Sequence, residues 1–249
     1  MDKSIKLFWF KEVPNFGDLL SPFIIEAITG NAVNWAQPKE TNKLLGLGSI
    51  IDFANEGDVI WGSGVKKPFS FNVETVEVLA VRGPRTAKIL GISENIQFGD
   101  PGILVPNLIP ITSQRHGKIV IVPHYVDYAE IVAKYGNDPA FLIVDVTDTD
   151  FYKNCQLIAA SDFVISSSLH GIIIAESYGI PAHWMKVSEK IIGGSFKFND
   201  YYESSNRNGK LHFFENGINK IVKSDTQPLP KIDTTGLISC LTNYFGSPI

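Results

Sequence analysis

The stretch "DFVISSSLHGIIIAESYGIPAHWM" (162–185) decides how this chain is read. "DFVISS" has the make-up of a short buried strand, and "LHGIIIAESYG" is long enough for a buried helix. "IPAHWM" is a second strand. Strand, helix and strand with so few polar residues form one step of a parallel sheet with its crossover helix. One ionisable ring, His170, sits where the first strand meets the helix.

Working outward, the same alternation fills the second half. "KIVIVPHY" from 118 is a strand and loop, 128–135 a short helix, and "AFLIVDV" a strand. "DTDFYKNCQLIAAS" is a helix with Asp148 or Thr149 as its cap. The order β-α-β-α-β-α-β predicts a parallel sheet with helices on both faces. Upstream, "IKLFWF" (5–10) is a short apolar run, and 19–28 repeats apolar residues at three and four. "VIWGSG" (59–64) and "VEVLAV" (76–81) are strand-like. Pro84 opens a helix that Gly91 closes, and "NIQFGDPG" (95–102) is a strand ending in a turn. The segment "VPNLIPITSQRHG" (105–117) has two prolines and little periodicity. It sets a boundary between an N-terminal domain, 1–108, and a C-terminal domain, 109–249. A loop with a short helix (193–207) and weakly amphipathic stretches at 210–223 and 232–245 form a tail expected to pack on the second domain.

Composition excludes several classes. The net charge is −4 and no basic stripe is present, so a nucleic-acid partner is not expected. The apolar runs are too short to span a bilayer, and no leader with a cleavage site is read at the N-terminus. Cys155 and Cys240 are far apart and lack metal-type spacing. They are read as reduced thiols of a cytoplasmic protein.

Two α/β units imply a cleft, and ligands of open α/β sheets sit beyond the carboxyl ends of strands. The polar residues at such ends are Asn15, Asp18, Ser63, Arg82, Asp100, His124 and the run Ser166, Ser167, Ser168 to His170. The serines precede a helix N-terminus, whose free N–H groups attract anions. His170 in the first turn is biased toward the neutral form by the helix dipole, and a bound anion reverses that bias. It is therefore a candidate proton donor, or else a structural histidine near a capped helix. Arg82 suits a bidentate grip on carboxylate or phosphate, or an ion pair with Asp100. Asp18 is either the cap of the first helix or a proton acceptor. "GSG" (62–64) is not a nucleotide fingerprint, because Lys66, Lys67 and Pro68 follow where a helix should start. No histidine spacing argues for a metal.

In order along the chain, "NFGDLLSP", "VIWGSGV", "LAVRGPRTAKILG", "FGDPGILVP", "IVIVPHYVD" and "VISSSLHGIIIAESYGIPAHW" resemble the polysaccharide pyruvyltransferases, over roughly residues 5–205. The resemblance implies an α/β fold of two Rossmann-like domains facing a central cleft, GT-B-like. It implies transfer of pyruvate from phosphoenolpyruvate to two hydroxyls of a sugar, giving a cyclic ketal and phosphate, with no metal or cofactor. The acceptor would be a polysaccharide or lipid-linked oligosaccharide precursor, so peripheral contact with the inner face of the plasma membrane is an expectation. By the same resemblance His170 is the general acid and Arg82 holds phosphoenolpyruvate from the N-terminal, acceptor-side domain. Asp18, or His124, would serve as base. Asn15, Ser63, His124, Ser166, Ser167 and Ser168 complete the expected binding set. Many members carry an arginine two residues before the histidine, where this chain has Ser168. Lys186, Lys190 and Lys197 are the candidate replacements. A glycosyltransferase using a nucleotide sugar and a non-catalytic sugar- or anion-binding module are the rival readings.

Overall fold

The computed structural model describes residues 4–222 and 227–246. The start of the N-terminal segment and the last residue of the 210–223 stretch lie outside them. In chain order the elements are β1 (Ile5–Phe8), α1 (Phe16–Thr29), β2 (Val33–Trp35), β3 (Leu44–Leu45), β4 (Val59–Trp61), β5 (Glu77–Val81), α2 (Pro84–Leu90), β6 (Gln97–Phe98) and α3 (Val105–Leu108). They continue with β7 (Ile119–Val122), α4 (Tyr128–Tyr135), β8 (Phe141–Ile143), α5 (Phe151–Ala159), β9 (Phe163–Ser166), α6 (Leu169–Ser177), β10 (Ala182–Lys186), α7 (Phe196–Glu203), β11 (Leu211–Phe213), α8 (Ile218–Val222) and α9 (Thr234–Phe245).

The strands form two sheets, ordered β2-β1-β3-β4-β5-β6 and β11-β10-β9-β7-β8, and every pairing is parallel. This is α/β architecture with two parallel sheets, consistent with two Rossmann-like domains. The chain passes from the first sheet to the second between Phe98 and Ile119.

Side chains alternate across each strand with period two. Leu7, Trp61 and Ala80 enter one large core, while Phe8, Ile60 and Val81 face the other side of their sheet. In the second sheet Val120, Val122, Val164 and Trp184 enter that same large core, and Ile121, Ile165 and Met185 face away. One continuous apolar core therefore joins the inner faces of both sheets. Each buried Ile or Leu in it contributes roughly 1.5–3 kcal/mol. Helix α6 lies in the middle of this core, with Leu169 to Glu176 all buried.

Details differ from the sequence reading. Helix α1 starts three residues earlier than expected because Asn15 caps it, accepting a hydrogen bond from the Gly17 N–H at 3.0 Å. Asp18 is thus not the cap. The cap of α5 is Asp150, which accepts from the Lys153 N–H at 2.9 Å, rather than Asp148 or Thr149. The tail divides. Phe214, Ile218 and Ile221 pack on the outer face of the second sheet. Helix α9 instead returns to the first unit, where Leu237 and Leu241 join the shared core and the Trp61 indole N–H donates to the Leu237 carbonyl at 2.8 Å. Cys155 and Cys240 are unpaired. Among the described residues no helix is long and apolar enough to cross a membrane.

Candidate functional site

Strand order reverses at β1/β3 in the first sheet and at β7/β9 in the second. Such switch points open a crevice beyond the strand ends, where ligands of α/β proteins bind. Here the two crevices coincide. One cavity of about 200 Å³ is lined by the segment after β1 (Phe10, Val13, Asn15, Asp18), by Ser49 and Ile50 after β3, and by Lys66 after β4. From the second unit come His124 and Tyr125 after β7, Ser168, Leu169 and His170 after β9, Lys190 and Ile192 after β10, and Lys197 of α7.

His170 sits deep in this cavity because two glycines make room for it. Its neighbour Gly171 lets α6 lie against β7; a Cβ there would meet Ser166 Oγ at 2.4 Å and Val122 Cβ at 2.7 Å. Across the cavity, a Cβ on Gly17 would fall 2.1 Å from His170 Nδ1. His170 is only 9% exposed, and its buried Nε2 has no hydrogen-bond partner. Burial, Lys197 and Arg82, in that order, push its pKa down to about 3, so the ring is neutral in the unliganded protein. Burial and Lys197 do the same to His124, which also falls to about 3.

The charges around the rings are unbalanced. Lys66, Lys190 and Lys197 line the cavity against a single carboxylate, Asp18. Lys66 shares Asp52 at 3.6 Å, whereas Lys197 forms no ion pair among the described residues. Burial, then Arg82, depress the Lys197 pKa to about 8, against the pull of Asp18. Under-neutralised cations, a helix N-terminus and an unpartnered imidazole nitrogen together give the cavity a positive potential, which favours anions.

Asp18 stands in the first turn of α1, half-buried, beside Gly48, whose φ of +113° lets the loop pass the carboxylate. Burial pushes its pKa from 3.8 to about 7; Lys197 and Lys66 pull it down and Asp100 pushes it up. A carboxylate whose folded pKa is raised costs stability as pH climbs from the unfolded value to the folded one. With ~1.4 kcal/mol for each pH unit between the two values, the ceiling is about 4 kcal/mol. Asp18→Asn is therefore expected to stabilise the protein, by little near pH 4 and by most above pH 7. Denaturant unfolding at both ends of that range checks this, and an equal gain at both would count against it.

Several expected binding residues build the wall rather than line the cavity. Ser63 is fully buried and donates to the Gly48 carbonyl at 2.9 Å, supporting the loop beside Asp18. Ser166 bonds the Val122 and Ser168 carbonyl oxygens and accepts from the Ser168 N–H at 3.0 Å. Ser167 donates to Asp127 at 2.8 Å and accepts from the His124 N–H at 2.9 Å. Of the three only Ser168 lines the cavity; the Ser166 and Ser167 hydroxyls are held inside the wall by the bonds just given. Its hydroxyl does not cap α6.

Arg82 also lies behind the wall. Its side chain is fully buried; Nε donates to Asp200 at 2.9 Å, one terminal nitrogen to Ser49 Oγ at 2.6 Å and the other to the Val65 carbonyl at 2.9 Å. The ion pair is with Asp200, not Asp100. Asp100 instead caps the turn Pro101–Leu104 by accepting from the Gly102 N–H. Lys186 pairs with Glu189 at 2.5 Å and lines no part of this cavity.

Sequence reasoning passed over Ser49, Tyr125 and above all Lys66. The signal for Lys66 is in the sequence: a lysine two residues beyond the glycines that follow a strand.

Two parallel α/β units thus meet at their switch points around a small cavity lined by three lysines. The chain belongs to the polysaccharide pyruvyl transferase family, whose model matches residues 43–189. That range includes Ser49, Lys66, Arg82, His124, Ser168 and His170, while Asn15, Asp18 and Lys197 lie outside it. The chain is 30% identical over 215 residues to an uncharacterised protein of Acanthamoeba polyphaga mimivirus, covering 80% of this chain and 74% of that one. It is 24% identical over 212 residues to the succinoglycan biosynthesis protein ExoV of Rhizobium meliloti, covering 79% of this chain and 63% of ExoV. A functionally uncharacterised Klebsiella pneumoniae protein of known structure aligns over 84% of this chain and 92% of its own, with a TM-score of 0.47 and 16% identity.

Proposed function

We propose that this protein transfers pyruvate from phosphoenolpyruvate to two hydroxyls of a sugar in a polysaccharide precursor, forming a cyclic ketal and releasing phosphate. The observation that carries this reading is the buried, unpartnered His170 Nε2 in a cavity with three lysines. Phosphoenolpyruvate brings both of the things such a site lacks, negative charge and a carbon that accepts a proton. Its size suits the space. The cavity measures about 200 Å³.

Bound phosphoenolpyruvate neutralises the lysines and raises the His170 pKa, so the ring becomes an imidazolium. His170 delivers that proton to the methylene carbon, leaving an oxocarbenium-like centre. A sugar hydroxyl attacks this centre and gives its proton to Asp18, which is the base, with His124 neutral beside it. The C–O bond to phosphate breaks, the second hydroxyl closes the ketal, and its proton leaves with the phosphate. Asp18 then gives the first hydroxyl's proton to solvent and solvent restores the proton that His170 gave to carbon, so the two protons lost by the hydroxyls are matched by one gained on the methyl group and one on phosphate. The lysines, Ser168 and the α6 N-terminus hold the developing negative charge in place throughout.

In this reading the two units form a GT-B-type arrangement, 1–108 presenting the acceptor side and 109–249 the anion site. Phe10, Tyr125 and Ile192 give the cavity an apolar mouth, suited to a sugar ring entering after phosphoenolpyruvate. The acceptor is read as a lipid-linked oligosaccharide at the cytoplasmic face of the membrane. The test is phosphate release from phosphoenolpyruvate with a panel of lipid-linked and synthetic glycosides. Acceptor-dependent release is expected. Release of nucleotide from a sugar nucleotide, with phosphoenolpyruvate left intact, would replace this reading with glycosyl transfer.

A further inference from the structure

We propose that Lys197 is the cation that grips phosphoenolpyruvate beside His170, and that Arg82 works one layer behind it as a positioning residue. This rests on the functional reading above and goes further, because it divides the work between two cations that the sequence does not connect.

Arg82 is poorly placed to touch a ligand. Three protein oxygens hold its guanidinium, and Gly64 packs flat against it, where a Cβ would fall 2.3 Å from Cζ. What Arg82 does hold is α7. Asp200 accepts from Arg82 Nε, from the Thr86 N–H at 2.9 Å and from the Thr86 hydroxyl at 2.7 Å, with its own side chain fully buried. Two further ties fix the same helix. Arg85 grips Glu203 through two bonds of 2.8 and 2.6 Å, and the Tyr201 hydroxyl donates to Glu176 of α6 at 2.7 Å. Glu176 is in turn held by Arg207.

Lys197 lies three residues before Asp200, on the same side of α7. The tether that fixes Asp200 therefore fixes where Lys197 enters the cavity. There it faces Asp18 from α1, His170 from α6, His124 after β7 and Lys66 after β4, and no described carboxylate forms an ion pair with it. Arg82 also holds Ser49, whose side chain lines the same cavity. One buried guanidinium thus sets two parts of the anion site without entering it.

The experiment is calorimetric titration of phosphoenolpyruvate, with inorganic phosphate as a second probe, into the wild-type chain and four variants whose folding is checked by thermal melting. Lys197→Met is expected to weaken phosphoenolpyruvate binding at least about tenfold, with Lys197→Arg keeping part of the affinity. The His170 ring signal, followed by NMR across pH, is expected to titrate higher in Lys197→Met, since a repelling cation has gone. Asp200→Asn separates positioning from charge. It removes a negative charge from behind the cavity, so if Arg82 met the ligand directly the anion should bind more tightly. Positioning predicts weaker binding. Thr86→Val keeps every charge, loosens the same tether and is expected to weaken binding less, in the same direction. Wild-type-like affinity in Lys197→Met, or tighter binding in Asp200→Asn, would overturn the proposal. Failure of the wild-type chain itself to bind phosphoenolpyruvate would sink the functional reading first, and this one with it.

Discussion

His170→Gln is expected to cut acceptor-dependent phosphate release by about 10²–10⁴-fold, the usual contribution of a positioned general acid, while phosphoenolpyruvate still binds. Glutamine matches the reach of the imidazole and can donate a hydrogen bond, but it cannot hand over a proton at neutral pH. The ring it replaces has no other task that the structure reveals. Nε2 makes no hydrogen bond within the protein, so its loss leaves no partner unsatisfied and little stability is at stake. Binding and turnover should therefore separate: a dissociation constant near that of the wild type with turnover almost gone. Near-normal turnover in this variant would move the acid elsewhere, and Lys197, with its pKa near 8, would be the next group to test.

Gly17→Ala should be nearly as damaging, although it adds one methyl group and removes no chemistry. That methyl would lie 2.1 Å from His170 Nδ1, 2.6 Å from Cγ and 2.9 Å from Cβ, so the ring must leave its place. Displacing a catalytic group by about 1 Å can cost on the order of 10²-fold in rate. Alanine is the better helix former by ~1 kcal/mol, so a loss of activity cannot be charged to a weakened α1. A stability cycle isolates the clash. Gly17→Ala is expected to lower the melting temperature in the wild-type background and to raise it when His170 is also alanine, because the space is then free. The same shift in both backgrounds would mean that Gly17 does not shape the site.

The second unit was the more legible half. Its strands and helices carry their periodicity within a few residues, and the helix predicted at 128–135 has those bounds in the structure. Strands β2, β3 and β11 leave no mark in the sequence, since two or three residues are too few for alternation to show. The position of His170 at a strand end was visible for a local reason, the break between "VISSS" and "LHGIII". The partner of Arg82 was not, because Asp200 lies 118 residues downstream and only the packing of α2 on α7 brings them together. Lys197 was hidden in the same way, in a stretch that reads as an irregular tail. The three serines are equivalent as letters, and only the hydrogen bonds that hold Ser166 and Ser167 in the wall leave Ser168 as the one that lines the cavity.

The return of α9 to the first unit also sets the order in which the protein can be finished. Trp61 precedes the carbonyl that receives its indole N–H by 176 residues. A ribosome therefore completes the strands of the first sheet long before it makes the helix that covers them. Until residues 234–245 emerge, Trp61 and Ala80 lack the cover that Leu237 and Leu241 provide, and the nascent chain carries an apolar face of the kind that chaperones hold and that promotes aggregation. A chain cut short just before α9 would keep nearly all of the cavity described above and still leave the ribosome with that face open.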